Sequence, residues 1–138
     1  MNIFLDANIL VSVLNKEYPS FAYSARILSL SNSHRFQFYT SSICLAIAFY
    51  FSEKKSGSRI ANKKIEILTS HLLVAGNRKE DVFMVLKNKK IQDFEDGLEY
   101  YAALDSKCKC IVTEDVNDFY FSEIEVLKPK DFLLRYSG

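Results

Sequence analysis

Short apolar runs along this chain alternate with stretches in which apolar residues recur at helical spacing. Asn2 to Leu5 is an apolar run that stops abruptly at Asp6, which predicts a buried strand. From Asn8, the recurrence of Ile9, Leu10, Val13 and Leu14 predicts a helix, broken by Asn15 to Ser20 with Pro19. Ala22 to Leu30 predicts a second helix ending at Ser31-Asn32-Ser33, and Phe36, Phe38 and Tyr39 alternate as in a strand. Thr40-Ser41-Ser42 is an N-cap cluster for a strongly apolar helix from Ile43 to about Glu53. The basic, Ser- and Gly-containing stretch from Lys54 to Asn62 reads as a solvated turn into a helix around Ile65 to Leu68.

Further along, His71 to Val74 predicts a strand and Lys79 to Leu86 a helix. Asp93 to Asp105 predicts another helix, with Phe94, Leu98, Tyr101 and Ala102 as its apolar stripe. Cys110-Ile111-Val112 is a buried strand, and Val126-Leu127 a last short one before a helix from Pro129 or Lys130 to Arg135. Strands separated by helices imply an α/β fold. A three-layer α/β/α arrangement is expected, with a central parallel sheet of four or five strands and helices on both faces. With 138 residues and no visible linker or repeat, one domain spanning 1–138 is expected.

Composition changes this picture little. The chain is 49% hydrophobic and 25% charged with 4 Gly and 2 Pro, which suits a packed domain rather than a disordered one. The net charge of +1 gives no bulk attraction for nucleic acid, so contact with a polyanion needs a local basic face. Lys54, Lys55, Arg59, Lys63 and Lys64 form one such segment, and Lys87, Lys89 and Lys90 another; solvated helix faces explain both equally well. Cys44, Cys108 and Cys110 have neither the number nor the spacing of a disulfide framework or a zinc site, and read as small semi-buried hydrophobes in a reducing compartment. The start of the chain lacks a basic stretch followed by an apolar one, and its longest apolar run is half a membrane span. A cytoplasmic location is expected, with no membrane partner.

The acidic residues carry the chemistry. Asp6 directly follows the first strand; Glu114, Asp115 and Asp118 follow the strand ending at Thr113; Asp93, Glu95, Asp96 and Glu99 open a helix. Singly, each has a structural explanation: Asp6 and Asp93 sit where N-caps belong, and Glu95 and Asp96 in the positive first turn. Jointly, Asp6 and the Thr113–Asp118 loop fall on the sheet edge where open parallel sheets bind ligands. Carboxylates gathered there call for a hard divalent cation, which can activate water for attack on a phosphodiester.

Three stretches, "IFLDANIL" at 3–10, "DFEDGLEYYAAL" at 93–104 and "IVTEDVNDF" at 111–119, resemble the PIN domain family in kind, order and separation, especially compact members of the bacterial toxin type. The resemblance implies a Mg²⁺- or Mn²⁺-dependent endoribonuclease, the toxin of a toxin–antitoxin pair, with an antitoxin protein over its acidic cleft. It also implies a homodimer through the early helices, 43–51 or 21–30. Asp6, Asp96 and Asp115 are then the metal ligands; Asp115 and Asp118 compete for the fourth acidic role. Asn8 orients Asp6, Thr113 supplies a hydroxyl, and Glu95 and Glu99 lie in support. Lys54, Lys55, Arg59 and Lys90 are the candidate RNA contacts.

The departure is "SSICLAIAFYF", where active members carry a glutamate and this chain has Ile47; no acidic residue lies between Glu17 and Glu53. Either Glu95 or Glu99 compensates, or the protein is an impaired PIN fold that binds RNA or a protein partner. A haloacid-dehalogenase type of phosphohydrolase needs a second aspartate where Asn8 stands, and a receiver domain needs acidic pairs that "MNIF" lacks.

Overall fold

The structure, a computed structural model, describes residues 1–136. Strand β1 (Asn2–Leu5) leads into helices α1 (Ala7–Leu14) and α2 (Ser20–Ser29) before β2 (Gln37–Ser41). Helices α3 (Ser42–Ser56) and α4 (Ser58–Thr69) precede β3 (Leu73–Ala75), and α5 (Lys79–Lys87) and α6 (Phe94–Asp105) precede β4 (Cys110–Val112). After a 3-10 turn at Val116–Phe119 come β5 (Glu125–Leu127) and α7 (Pro129–Tyr136).

The five strands form one sheet in the order β3-β2-β1-β4-β5, and every pairing is parallel. The sheet sits between helical layers, as the strand–helix alternation requires. Its centre is dry: Ile3, Phe4, Leu5, Cys110, Ile111 and Val112 are fully buried. From β1 the chain winds outward through β2 and β3, then crosses back to place β4 on the other side of β1. Beyond the carboxyl ends of β1 and β4, the winding direction switches, and a crevice opens there in folds of this kind.

Two expectations need correction. The stretch from Lys54 to Asn62 is not a turn: α3 runs to Ser56 and α4 starts at Ser58. Only Gly57, at φ +84°, separates them, a conformation glycine adopts without cost. Lysine, arginine and serine are tolerated on exposed helical positions, so the polar composition did not mean a loop. The buried face of α6 also differs from the expected stripe. Ala102 is buried as expected, but with Gly97, Glu99, Tyr100 and Ala103, while Phe94 is exposed. Helix α5 comes so close that a methyl on Gly97 would lie 2.7 Å from Val85 Cγ1. Gly97 thus faces α5, while Glu99, two residues on and therefore on the opposite side of the helix, faces Asp6 and Cys44. Helix α6 is covered on both sides.

The remaining elements fall where the pattern puts them. Ser41 caps α3 by accepting from the Cys44 amide at 3.1 Å. Cys44, Cys108 and Cys110 are free thiols, as expected, and all three are buried. Among the described residues, no helix is long and apolar enough to cross a membrane.

Candidate active site

Register places the first two acidic motifs side by side. Leu5 pairs with Val112, so Asp6 and Thr113 leave neighbouring strand ends together, and the Asp6 amide donates to the Val112 carbonyl at 3.1 Å. Asp6 is 8% exposed and does cap α1, its Oδ1 accepting from the Ala7 amide at 2.6 Å. Its other oxygen accepts from the Thr113 hydroxyl at 2.8 Å. The structural and functional readings of Asp6 are thus compatible: one oxygen caps, and the other belongs to the crevice.

Asn8 ties the two motifs. Its Nδ2 lies 3.1 Å from Thr113 Oγ1, 3.3 Å from Asp115 Oδ2 and 3.5 Å from Asp6 Oδ2. Its Oδ1 accepts from the Glu114 amide at 3.1 Å. Thr113 Oγ1 in turn accepts from the Asp115 amide at 3.0 Å. Every polar atom of these two side chains is used, and together they hold Asp6, Asp115 and the Glu114 backbone in a fixed relation.

Helix α6 brings the third motif. Asp93 caps it, accepting from the Asp96 amide at 2.9 Å, as its position predicted. Asp96 and Glu99 are one turn apart and share a face. Glu99 is 1% exposed, and Cys44 Sγ donates to its Oε1 at 3.0 Å. One donor atom from each of Asp6, Cys44 and Glu99 lies within 4.8 Å of the others, and the same holds for Glu95, Asp96 and Glu99. Glu99 therefore joins the strand-end carboxylates to those on the helix.

Asp6, Asn8, Glu95, Asp96, Glu99, Asp115 and Asp118 line one cleft of about 360 Å³, with Val11, Ile47 and Phe51 also in its lining. Its electrostatics are one-signed. Burial, then the charges of Asp93, Asp6, Asp118 and Glu95, push the Asp96 carboxyl up to about 7. Burial and the adjoining Asp6 push Glu99 up to about 11. Glu95 and Asp118 are also raised, first by burial and then by neighbouring carboxylates. Among the described residues, no lysine or arginine forms an ion pair with any carboxylate in this cleft.

A cluster of oxygens that runs from the buried Asp6 and Glu99 to the exposed Asp115 and Asp118, mutually repulsive and without cationic partners, fits a hard divalent ion such as Mg²⁺ or Mn²⁺. Asp6, Asp96, Glu99 and Asp115 are the residues that could hold it. The one soft donor, Cys44, is kept protonated by burial and by Glu99, so it does not alter the preference. Sequence reasoning missed Cys44 at the site; its position one turn before Ile47 on α3 was the available signal.

The candidate basic residues lie elsewhere. Lys54 sits over the Tyr50 ring, Lys55 donates to the Asn15 carbonyl, and Arg59 lines a separate groove at the start of α4. Lys90 lies in a tyrosine-lined cleft formed by α6, the end of α5 and the segments that follow α5 and β4.

The chain is similar to ribonuclease VapC1 of Aquifex aeolicus (strain VF5), with 24% identity over 98% of this chain and 95% of that protein. Its fold is shared by VapBC2 from Rickettsia felis, solved bound to a DNA fragment from its promoter, at a TM-score of 0.68 and 22% identity, covering 93% of this chain and 98% of that one. VapBC-1 from nontypeable Haemophilus influenzae gives a TM-score of 0.69 at 18% identity, covering 94% and 99%. VapC20 of Mycobacterium tuberculosis, a toxin that cleaves the sarcin–ricin loop, gives 0.63 at 13%, covering 79% and 86%. Residues 2–117, which include all but the last residue of the three-motif acidic site, match the PIN domain, and the chain belongs to that family.

Proposed function

We propose that the protein is a divalent-metal-dependent endoribonuclease that hydrolyses RNA phosphodiesters as the toxin of a toxin–antitoxin pair. One observation supports this above the others: Glu99 from α6 meets Asp6, which directly follows β1, in the cleft that also holds Asp96, Asp115 and Asp118. In this reading Asp6, Asp96 and Asp115 hold the ion, and Glu99 takes the role of the glutamate absent at Ile47. Mg²⁺ or Mn²⁺ held by these residues would supply water activation and neutralise charge on the scissile phosphate. Thr113 and Asn8 hold Asp6 and Asp115 at a fixed separation. Asp118, the exposed carboxylate at the cleft mouth, accepts the proton of the attacking water.

The antitoxin partner is supported by the likeness to the VapBC structures and by an apolar groove of about 380 Å³ between α1, α2 and α4. Val13, Phe21, Leu28 and Ile67 line that groove and Lys16 and Lys64 rim it, which suits an amphipathic segment with acidic edges. A homodimer is supported by the outward side of α3, where Tyr50 is 52% exposed and Phe51 also reaches solvent.

The test is RNA cleavage in Mg²⁺ or Mn²⁺ by the wild-type protein, Asp6→Asn and Asp96→Asn, alongside calorimetric titration with Mn²⁺. Cleavage that both variants lose by a hundredfold or more is expected. Equal residual cleavage by all three would assign the activity to a contaminant. Ile47 favours one second reading, an impaired PIN fold that binds RNA without cutting it; Mn²⁺ binding absent up to millimolar concentration would select it.

A further inference from the structure

Beside the acidic cleft lies a second one, of about 550 Å³, whose lining includes Asn88, Lys90, Tyr100, Tyr101, Tyr120 and Glu123. We propose that this tyrosine-lined cleft is a nucleobase subsite, which holds an unstacked base of single-stranded RNA next to the scissile phosphate, with Lys90 on the adjoining phosphate. This rests on the nuclease reading and adds to it the part of the substrate that lies outside the metal centre.

The two clefts have no lining residue in common, but adjacent stretches of chain line both, with Glu99 in one and Tyr100 in the other. Tyr120 stands two residues after Asp118, and Lys90 three residues before Asp93. The Tyr120 hydroxyl donates to the Lys90 carbonyl, which fastens these two carboxylate-bearing loops together. In the proposed arrangement, a strand leaving the acidic cleft toward Lys90 meets the Tyr120 ring at this seam.

The rings are set and partly bare. Tyr100 packs edge-on against Tyr101 and Phe121 at 5.2 and 5.1 Å, and Tyr120 against Phe121 at 5.5 Å. Tyr120 nevertheless remains 58% exposed, more than completing the core requires. A fixed, exposed aromatic face is what a base stacks on at little cost in side-chain entropy. The polar groups match a base too. Tyr101 Oη accepts from Asn88 Nδ2 at 3.4 Å and keeps its own proton to donate, while Glu123 offers a carboxylate acceptor at the rim.

Charge selects a polyanion for this side of the seam. The acidic cleft repels phosphate, whereas Lys87, Lys89 and Lys90 cluster at the neighbouring turn and form no ion pair among the described residues. Phosphate held there relieves their repulsion and registers the strand.

The test is fluorescence anisotropy of a labelled single-stranded RNA 12-mer, and of the corresponding duplex, against the full chain in EDTA, where cleavage does not interfere. Wild type should prefer the single strand. Tyr120→Leu should weaken single-strand binding about 5- to 100-fold and duplex binding little, while Tyr120→Phe stays within about threefold of wild type. Lys90→Ala should flatten the salt dependence by about one contact. Unchanged single-strand affinity in folded Tyr120→Leu overturns the subsite, as does an equal loss for duplex and single strand. If Tyr120→Leu does not fold, Lys90→Glu must lower single-strand affinity at least fivefold, and no change overturns the proposal. Failure of the nuclease reading shows separately, as absence of metal-dependent cleavage with this binding pattern intact.

Discussion

Glu99 is the residue on which the site turns. Its position on α6, three residues after Asp96, already placed it among candidates, but a glutamate there reads equally well as an exposed helix charge. What the linear pattern concealed is that α6 is covered on two sides, with Gly97 against α5 and Glu99 buried against Asp6 and Cys44 on the other. If Glu99 stands in for the missing α3 glutamate, Glu99→Gln lowers Mn²⁺ affinity by one to two orders of magnitude. Because Ile47 lines the same cleft, Ile47→Glu in the Glu99→Gln background should recover most of that loss. Calorimetry of the single and double variants checks both, and an additive further loss in the double variant would refute the substitution of roles. The cysteines give a second expectation at this scale. Burial raises Cys108 and Cys110 to about 12, and burial with the neighbouring Glu99 raises Cys44 well above its ordinary value, so none is a thiolate at pH 8. Alkylation followed by mass spectrometry should find all three unmodified in the native protein and all three labelled in denaturant.

At the scale of elements, the strands were the most legible part of the chain. Parallel strands buried on both faces read as uninterrupted apolar runs, and Asn2–Leu5 and Cys110–Val112 are both of that kind. The carboxylates that end such runs could therefore be assigned to one sheet edge before any coordinate was known. Helix boundaries were less legible, because a lysine-rich stretch carries the same composition in an exposed helix as in a turn. Only Gly57 marked the true break between α3 and α4. Orientation of α6 depended on a partner helix that periodicity along one segment does not register. Its packing is testable through Gly97→Ala. A methyl there meets Val85 Cγ1 at 2.7 Å and Ile91 Cγ2 at 2.9 Å, and the β-branched side chains cannot swing far aside. Overpacking of this kind costs about 1–3 kcal/mol, which exceeds the roughly 1 kcal/mol gained from alanine's helix propensity. A lower midpoint in chemical denaturation is expected, together with weaker Mn²⁺ binding, since the same helix carries Asp96 and Glu99.

Across the whole molecule, the fold gathers mutually repelling carboxylates at the switch point of its sheet, a cost that the proposed cation would offset. The hydrogen bonds from Thr113, Asn8 and the Ala7 amide keep like charges together that would otherwise separate. Neutralising one of them should therefore have opposite effects on stability and function. At pH 8, Asp96 lies above its raised value of about 7 and is charged, so Asp96→Asn removes repulsion and should raise the melting temperature of the metal-free protein. Wild type should gain more when metal is added: an ion at a hundred times its dissociation constant contributes about 2.7 kcal/mol, or roughly 10 °C for a domain of this size. The variant should gain little. Thermal melts of both proteins in EDTA and in excess Mn²⁺ give the four temperatures needed. A crossing of the two proteins' order between the conditions is expected, because the charge that destabilises the empty cleft is the charge that binds the ion. If Asp96→Asn melts lower than wild type in EDTA, the carboxylate is instead a structural asset of α6, and the cleft is not strained by its own charge.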